Sequence, residues 1–181
     1  TGIERQVYDL NAGEHRSAKF TAMNPIARVP VLELDDGRFL AESRAICSYL
    51  ESLYPEPNLM GVDAEERAFI EMADRQVELT LLAAVANHVR HTHPGLLPLE
   101  NPQFADYAAE QGKRMVAAAA LFDQLLAKRP WMAGDRFTIA DITAFCGLEF
   151  ARLVKFRPAD AGLQHLADWR ERVAARPSAR L

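Results

Sequence analysis

The stretch YPEPNLMG, residues 54–61, constrains the fold more than any other part of the chain, because the hydrophobic pattern changes character across it. Upstream, apolar residues come in short runs separated by turn formers. Downstream, they recur only at helical spacing over long windows. Its prolines and closing glycine break a helix and discourage a strand, so the stretch reads as a linker. The expected organisation is a mixed α/β piece over residues 1–54, a linker over 55–62 and an all-helical piece over 63–181.

In the first piece, TGIE looks like the end of a helix and RQVYDL (5–10) reads as a short strand. A polar loop, NAGEHRSAKFTAMNP, follows with room for one helical turn. Residues 31–34 and 39–40 are strand-like and joined across DDG, a strong hairpin signal. Pro30 cannot donate a ladder hydrogen bond and belongs at a strand's first residue, an edge or a bulge. Ala45, Ile46, Tyr49, Leu50 and Leu53 then mark one face of a helix whose N-cap is expected at Ser43. Such a piece is too small to bury a self-sufficient core.

The second piece holds one long amphipathic pattern over 63–92, stopped by HTHPGLLP. Another spans about 102–128, with Phe104, Met115, Phe122, Leu125 and Leu126 on its apolar side. A third helix begins at FTIAD, where Thr138 and Asp141 have the spacing of a capping box. A last helix covers about 163–175. Trp131 and Trp169 read as packing residues.

A net charge of −4 offers no basis for a nucleic acid or an acidic membrane as partner. No apolar run reaches membrane-spanning length. Cys47 and Cys146 lie inside helical patterns and read as reduced core residues of a cytoplasmic protein. His88, His91 and His93 lack an acidic or cysteine ligand at matching spacing, so no metal site is expected; they read as lining or capping the end of the long helix.

NPIARVPVLELDDGRFLAESRAICSYLESLYP resembles the glutathione-binding half of glutathione S-transferases, and WMAGDRFTIADITAF resembles the folding motif of their all-helical half. The two motifs occur in the right order around the linker, and the similarity covers nearly the whole chain. The GEH loop and HTHP look closest to bacterial, theta-like members. The resemblance implies a thioredoxin-like N-terminal domain followed by an all-helical domain. Against that pattern, the first strand and most of the first helix are absent from this sequence. It further implies that the activating Ser, Tyr or Cys lies in the absent stretch, leaving RQVYDL without its central neighbour and the catalytic residue unknown.

From spacing alone, Ser43 is only a cap and Glu42 only a solvated acid. The resemblance makes Glu42 an acceptor for the γ-glutamyl ammonium of glutathione and Ser43 a donor to the adjacent carboxylate. His15 and Arg28 match family positions that contact the glycyl carboxylate, with Arg28 where lysine is common. Pro30 matches the family's cis-proline, whose bend would turn the backbone of Val29 toward the cysteinyl part of glutathione. The implied function is a glutathione transferase that takes glutathione as co-substrate and a hydrophobic electrophile as second substrate. The electrophile's pocket would lie between the domains. A homodimer with the 63–92 helix at its interface is also implied. Alternatives on the same fold are a non-catalytic glutathione- or partner-binding module, or a specialised glutathione-dependent isomerase, dehalogenase or disulfide reductase.

Overall fold

The computed structural model describes residues 3–179. Readings that fall on Thr1, Gly2, Arg180 and Leu181 lie outside the described residues. The chain divides into two compact units, Thr1–Pro57 and Asn58–Leu181.

In the first unit, residues 5–9 form no strand, contrary to the sequence reading, and Leu10 already begins a turn. A strand exists only in a ladder. Among the described residues the one sheet pairs β1 (Val31–Glu33) with β2 (Phe39–Ala41), and neither ladder partner is RQVYDL. Val7 is accordingly exposed, while the Tyr8 ring stands edge-on to Phe20 at 4.8 Å. The polar loop contains a 3₁₀ turn, Glu14–Arg16, and a short helix α1, Ala18–Met23, opened by Ser17, whose Oγ accepts from the Phe20 N–H. Phe20 is the one fully buried hydrophobic side chain among the described residues of this unit.

The hairpin pairs Val31 with Ala41, Leu32 with Leu40 and Glu33 with Phe39. Gly37 supplies the positive φ (81°) that its turn needs, and Asp36 accepts from the Arg38 N–H at 3.0 Å and Nε at 2.7 Å. Helix α2, Ser43–Leu53, follows β2 directly. Its N-cap is Glu42 rather than Ser43, which becomes the first helical residue. The expected apolar face is only half covered: Tyr49 and Leu53 are exposed, and Cys47 is half-buried instead of core. Within its unit, α2 is backed by a two-stranded ribbon, too narrow to cover a full helix face.

The second unit is helical throughout. Helix α3 (Ala64–Val77) continues through a π-helical interval, Glu78–Leu82, into α4 (Ala83–Thr92). The pattern over 63–92 carried no sign of that interval. Its start is doubly capped: Asp63 accepts from the Glu66 N–H, and Glu66 Oε2 accepts from the Val62 N–H. Helix α5 (Ala105–Leu126) packs along α4, and α6 (Ile139–Ala151) crosses α3, the π interval and α4. Helix α7 (Gln164–Ala174) closes the bundle against α5 and α6. Val77, Leu81, Val85, Phe122, Leu148 and Trp169 form the centre of the core. Burial of side chains this size contributes about 1.5–3 kcal/mol each.

Two expectations about this core fail. Phe104 is exposed because α5 begins one residue later, placing it outside the helical frame; its ring leans on His91 instead. Cys146 is exposed on α6, where Gly147 and Leu148 take the inward positions.

The FTIAD motif opens α6 as a capping box: Thr138 N–H donates to Asp141 Oδ2 at 2.9 Å. Asp141 also accepts from the Met132 N–H (2.9 Å) and from Trp169 Nε1 (2.8 Å), so one carboxylate ties a loop, a helix start and α7 together. Burial pushes its carboxyl above the usual carboxylate value, against the opposing effect of those hydrogen bonds. Arg136 pins the entry to the helical unit, donating from Nε to Glu66 Oε1 and from its two Nη atoms to the carbonyl and side chain of Asn58.

Candidate functional site

The hairpin register determines which residues meet. Because Val31 pairs with Ala41, residues 30 and 42 are the next facing positions at the open end of the ladder. The chain therefore enters β1 through Arg28, Val29 and Pro30 beside the point where it leaves β2 through Glu42 and Ser43.

Asn24, a residue the sequence reading gave no role, shapes the entering segment. It is buried; its Nδ2 donates to the Arg28 carbonyl at 2.8 Å and its Oδ1 accepts from the Ile26 N–H at 3.1 Å. Its own carbonyl accepts from the Ala27 N–H, and Ala27 takes a left-handed φ of 55°. Asn-Pro is a turn signal, and it was legible in NPIAR; what the signal could not convey is that the amide reaches forward to hold the Arg28–Val29 peptide. The Val29–Pro30 bond is cis. Val29 is exposed, and among the described residues nothing takes its N–H or C=O. Arg28 is exposed as well.

On the leaving side, Glu42 has φ 68° and ψ 117°, a conformation that a side-chain-bearing residue adopts at a cost of about 1–3 kcal/mol. Its carboxylate caps nothing in the helix it precedes. Ser43 is exposed at the first position of α2, where the unsatisfied N–H groups of the first turn and the helix dipole favour an anion. Among the described residues no partner engages its hydroxyl or its N–H.

His15 is placed differently. It lies in the 3₁₀ turn, 7% exposed instead of displayed on a loop, with Nδ1 buried and unpartnered among the described residues. The chain path thus brings Arg28, Val29, Pro30, Glu42 and Ser43 to one end of the hairpin, and among the described residues no hydrogen bond ties His15 to them.

The three histidines at the end of α4 are engaged in hydrogen bonds. His88 Nδ1 lies 2.8 Å from the Ala108 carbonyl, His91 Nδ1 accepts from the Phe104 N–H and His93 Nδ1 accepts from the Gly95 N–H. Among the described residues no group of three or more His, Cys, Asp or Glu side chains is placed to hold a metal ion. No helix among them is long and apolar enough to cross a membrane.

A backbone segment whose hydrogen-bonding groups have no partner among the described residues enters the hairpin beside a carboxylate-bearing residue and a helix N-terminus, with the arginine Arg28 just before it. This is the equipment for a short zwitterionic peptide. A mixed α/β unit bearing such a hairpin, followed in the chain by an all-helical unit, defines a two-domain class of proteins. Residues 1–58 match the sequence profile of the glutathione S-transferase N-terminal domain, and residues 81–177 match that of the C-terminal domain. Glutathione S-transferase 2 of Saccharomyces cerevisiae is 39% identical over 171 residues, spanning 94% of this chain and 73% of the yeast protein. A glutathione S-transferase domain-containing protein of Marinobacter aquaeolei superposes with a TM-score of 0.88 at 44% identity, covering 94% of this chain and 83% of the other. Yeast Gtt2 superposes equally well, with a TM-score of 0.88 at 37% identity over 96% of this chain and 83% of its own. The chain belongs to the glutathione S-transferase family.

Proposed function

We propose that this protein is a glutathione transferase that holds its co-substrate at the open end of the β1–β2 hairpin. The observation that carries the site is the backbone of Val29, unpartnered among the described residues, at the same end of the ladder as Glu42 and Ser43. In this reading the N–H and C=O of Val29 pair with the cysteinyl residue of glutathione as an added strand would. Glu42 accepts from the γ-glutamyl ammonium, and Ser43 with the first turn of α2 binds the neighbouring carboxylate. Arg28 answers the glycyl carboxylate at the other end. His15, buried in the same unit with its Nδ1 unpartnered among the described residues, is a second candidate for the glycyl end.

The reaction is the loss of the thiol proton followed by attack of the thiolate sulfur on an electrophilic carbon. A C–S bond forms while the displaced electron pair leaves with a leaving group or moves onto an acceptor atom. Arg28, Val29, Glu42 and Ser43 position the peptide; none of them is assigned the activation of the thiol. Association into a homodimer through the long helix is supported by its exposed apolar side chains Phe69, Met72 and Leu79.

The test is retention on immobilised glutathione together with calorimetric titration. Replacing Glu42 and Ser43 by Ala together should abolish retention and weaken binding by about 100-fold, two charge-assisted contacts being lost. Retention at the unaltered level would sink the assignment. Binding without turnover toward any electrophile, measured on a chain that includes the first strand and first helix the family resemblance implies, would identify a non-catalytic module instead.

A further inference from the structure

The segment that enters the hairpin hangs from one buried residue. Asn24 ends helix α1, where its N–H donates to the carbonyl of buried Phe20 at 3.0 Å. Its own carbonyl accepts from the Ala27 N–H at 2.9 Å and its Oδ1 from the Ile26 N–H at 3.1 Å, while its Nδ2 donates to the Arg28 carbonyl at 2.8 Å. The main chain and side-chain amide of this one residue thus hold Ile26, Ala27 and Arg28 together. Ala27 takes its left-handed φ of 55° inside that frame, a conformation that a side-chain-bearing residue keeps only where its surroundings impose it.

The contact at Arg28 acts beyond Arg28. The Arg28–Val29 peptide is planar and trans, so its C=O and N–H point in opposite directions. Anchoring the carbonyl on Asn24 therefore aims the Val29 N–H the other way, away from the amide. Without the anchor this peptide plane can turn over, through opposite changes of ψ at residue 28 and φ at residue 29. It would then present a carbonyl where a donor stood. Val29 is exposed and its N–H has no partner among the described residues, so nothing on its own side opposes the flip.

We infer, resting on the hairpin-end reading above, that Asn24 is a positioning residue of the glutathione site. It touches no part of the ligand and holds the Val29 N–H in the orientation that donates to the cysteinyl backbone. An amide suits the place because it offers a donor to Arg28 and an acceptor to Ile26 at once. A serine hydroxyl keeps a turn bond to Ile26 but stops a bond length short of Arg28. An aspartate keeps that bond too and sets a charged acceptor against the Arg28 carbonyl. Where only a fraction of molecules holds the competent peptide orientation, the apparent Kd rises by the inverse of that fraction. Loss of one buried amide–carbonyl hydrogen bond reduces the fraction to about a tenth.

The experiment is a calorimetric titration with glutathione of a chain that includes the first strand and first helix the family resemblance implies, as parent, Asn24→Ser and Asn24→Asp. The Kd should rise about tenfold in Asn24→Ser and further in Asn24→Asp, with the binding stoichiometry unchanged in Asn24→Ser. An asparagine that served stability alone would behave in the opposite way: unfolded molecules would drop out of the stoichiometry and leave the Kd of the remainder where it was. The parent's Kd in Asn24→Ser, with or without a lowered stoichiometry, would overturn the inference. The two readings fail separately. Glu42→Ala with Ser43→Ala binding at the parent level overturns the hairpin end itself, whereas that double variant weakened beside an Asn24→Ser of parent affinity overturns only the role of Asn24.

Discussion

At Gly112 a helix interior carries the residue least suited to it after proline, and the reason is a neighbour on another helix. A Cβ built there would meet the His88 ring at 3.1 Å. That ring is held in place by the hydrogen bond from His88 Nδ1 to the Ala108 carbonyl, one turn earlier on α5. Glycine is thus the space that lets an imidazole lie flat against α5. Helix propensity alone predicts that Gly112→Ala stabilises the protein by about 1 kcal/mol. Displacing His88 and losing its hydrogen bond should cancel that gain, so Gly112→Ala should melt at or below the parent in a denaturant titration. In the His88→Ala background the same substitution should recover the propensity gain of about 1 kcal/mol. A gain of that size in the parent background would show that the ring moves aside freely.

Among the elements, the join between Asn58 and α3 is the one most dependent on ionised groups. Glu66 lies below its ordinary carboxyl value because Arg136 hydrogen-bonds it and the Val62 N–H donates to it. A lowered folded value means the unfolded chain binds the proton more readily, so the group contributes stability above its unfolded value near 4.5. That contribution disappears as pH falls through the lowered folded value. Glu66→Gln should therefore flatten the acid limb of a plot of melting temperature against pH below about 4.5 while leaving the limb above pH 6 parallel to the parent. An unchanged acid limb would remove Glu66 from the account. Arg136 is also what assigns residues 58–62 to the helical unit, since it binds Asn58 on both its carbonyl and its side chain. The periodicity and capping signals of this unit were readable residue by residue: Thr138 and Asp141 do what their spacing announces. The long-range partners were not, because nothing local in the sequence relates Arg136 to Asn58 or Trp169 to Asp141.

For the whole molecule, the distribution of apolar surface is the informative quantity. The helical unit buries its core fully, yet Phe69 and Leu79 stay 57% and 62% exposed on one helix. Sedimentation should give a mass of about twice the 20.2 kDa of one chain, and Phe69→Glu with Leu79→Glu should restore a monomer. Because both side chains are exposed in the single chain, the substituted protein should keep its helical circular dichroism. A parent that sediments as a monomer would rule out this interface.

What was legible in the sequence alone is the hairpin and its turn, the capping box that opens α6 and the family, because each rests on local spacing, capping chemistry or a contiguous motif. The sequence also singled out Arg28, Val29, Pro30, Glu42 and Ser43 as candidates. The fold added that five of the six candidates share one end of a hairpin and that His15 is buried with its Nδ1 unpartnered among the described residues. The register of β1 against β2 pairs residues six to ten apart across the turn, and no pattern within either strand encodes it. The structure likewise withheld strand character from RQVYDL, since a strand needs a partner and not merely strand-forming residues. It gave Asn24 its role for the same reason: an amide's partner is chosen by the fold of the loop around it.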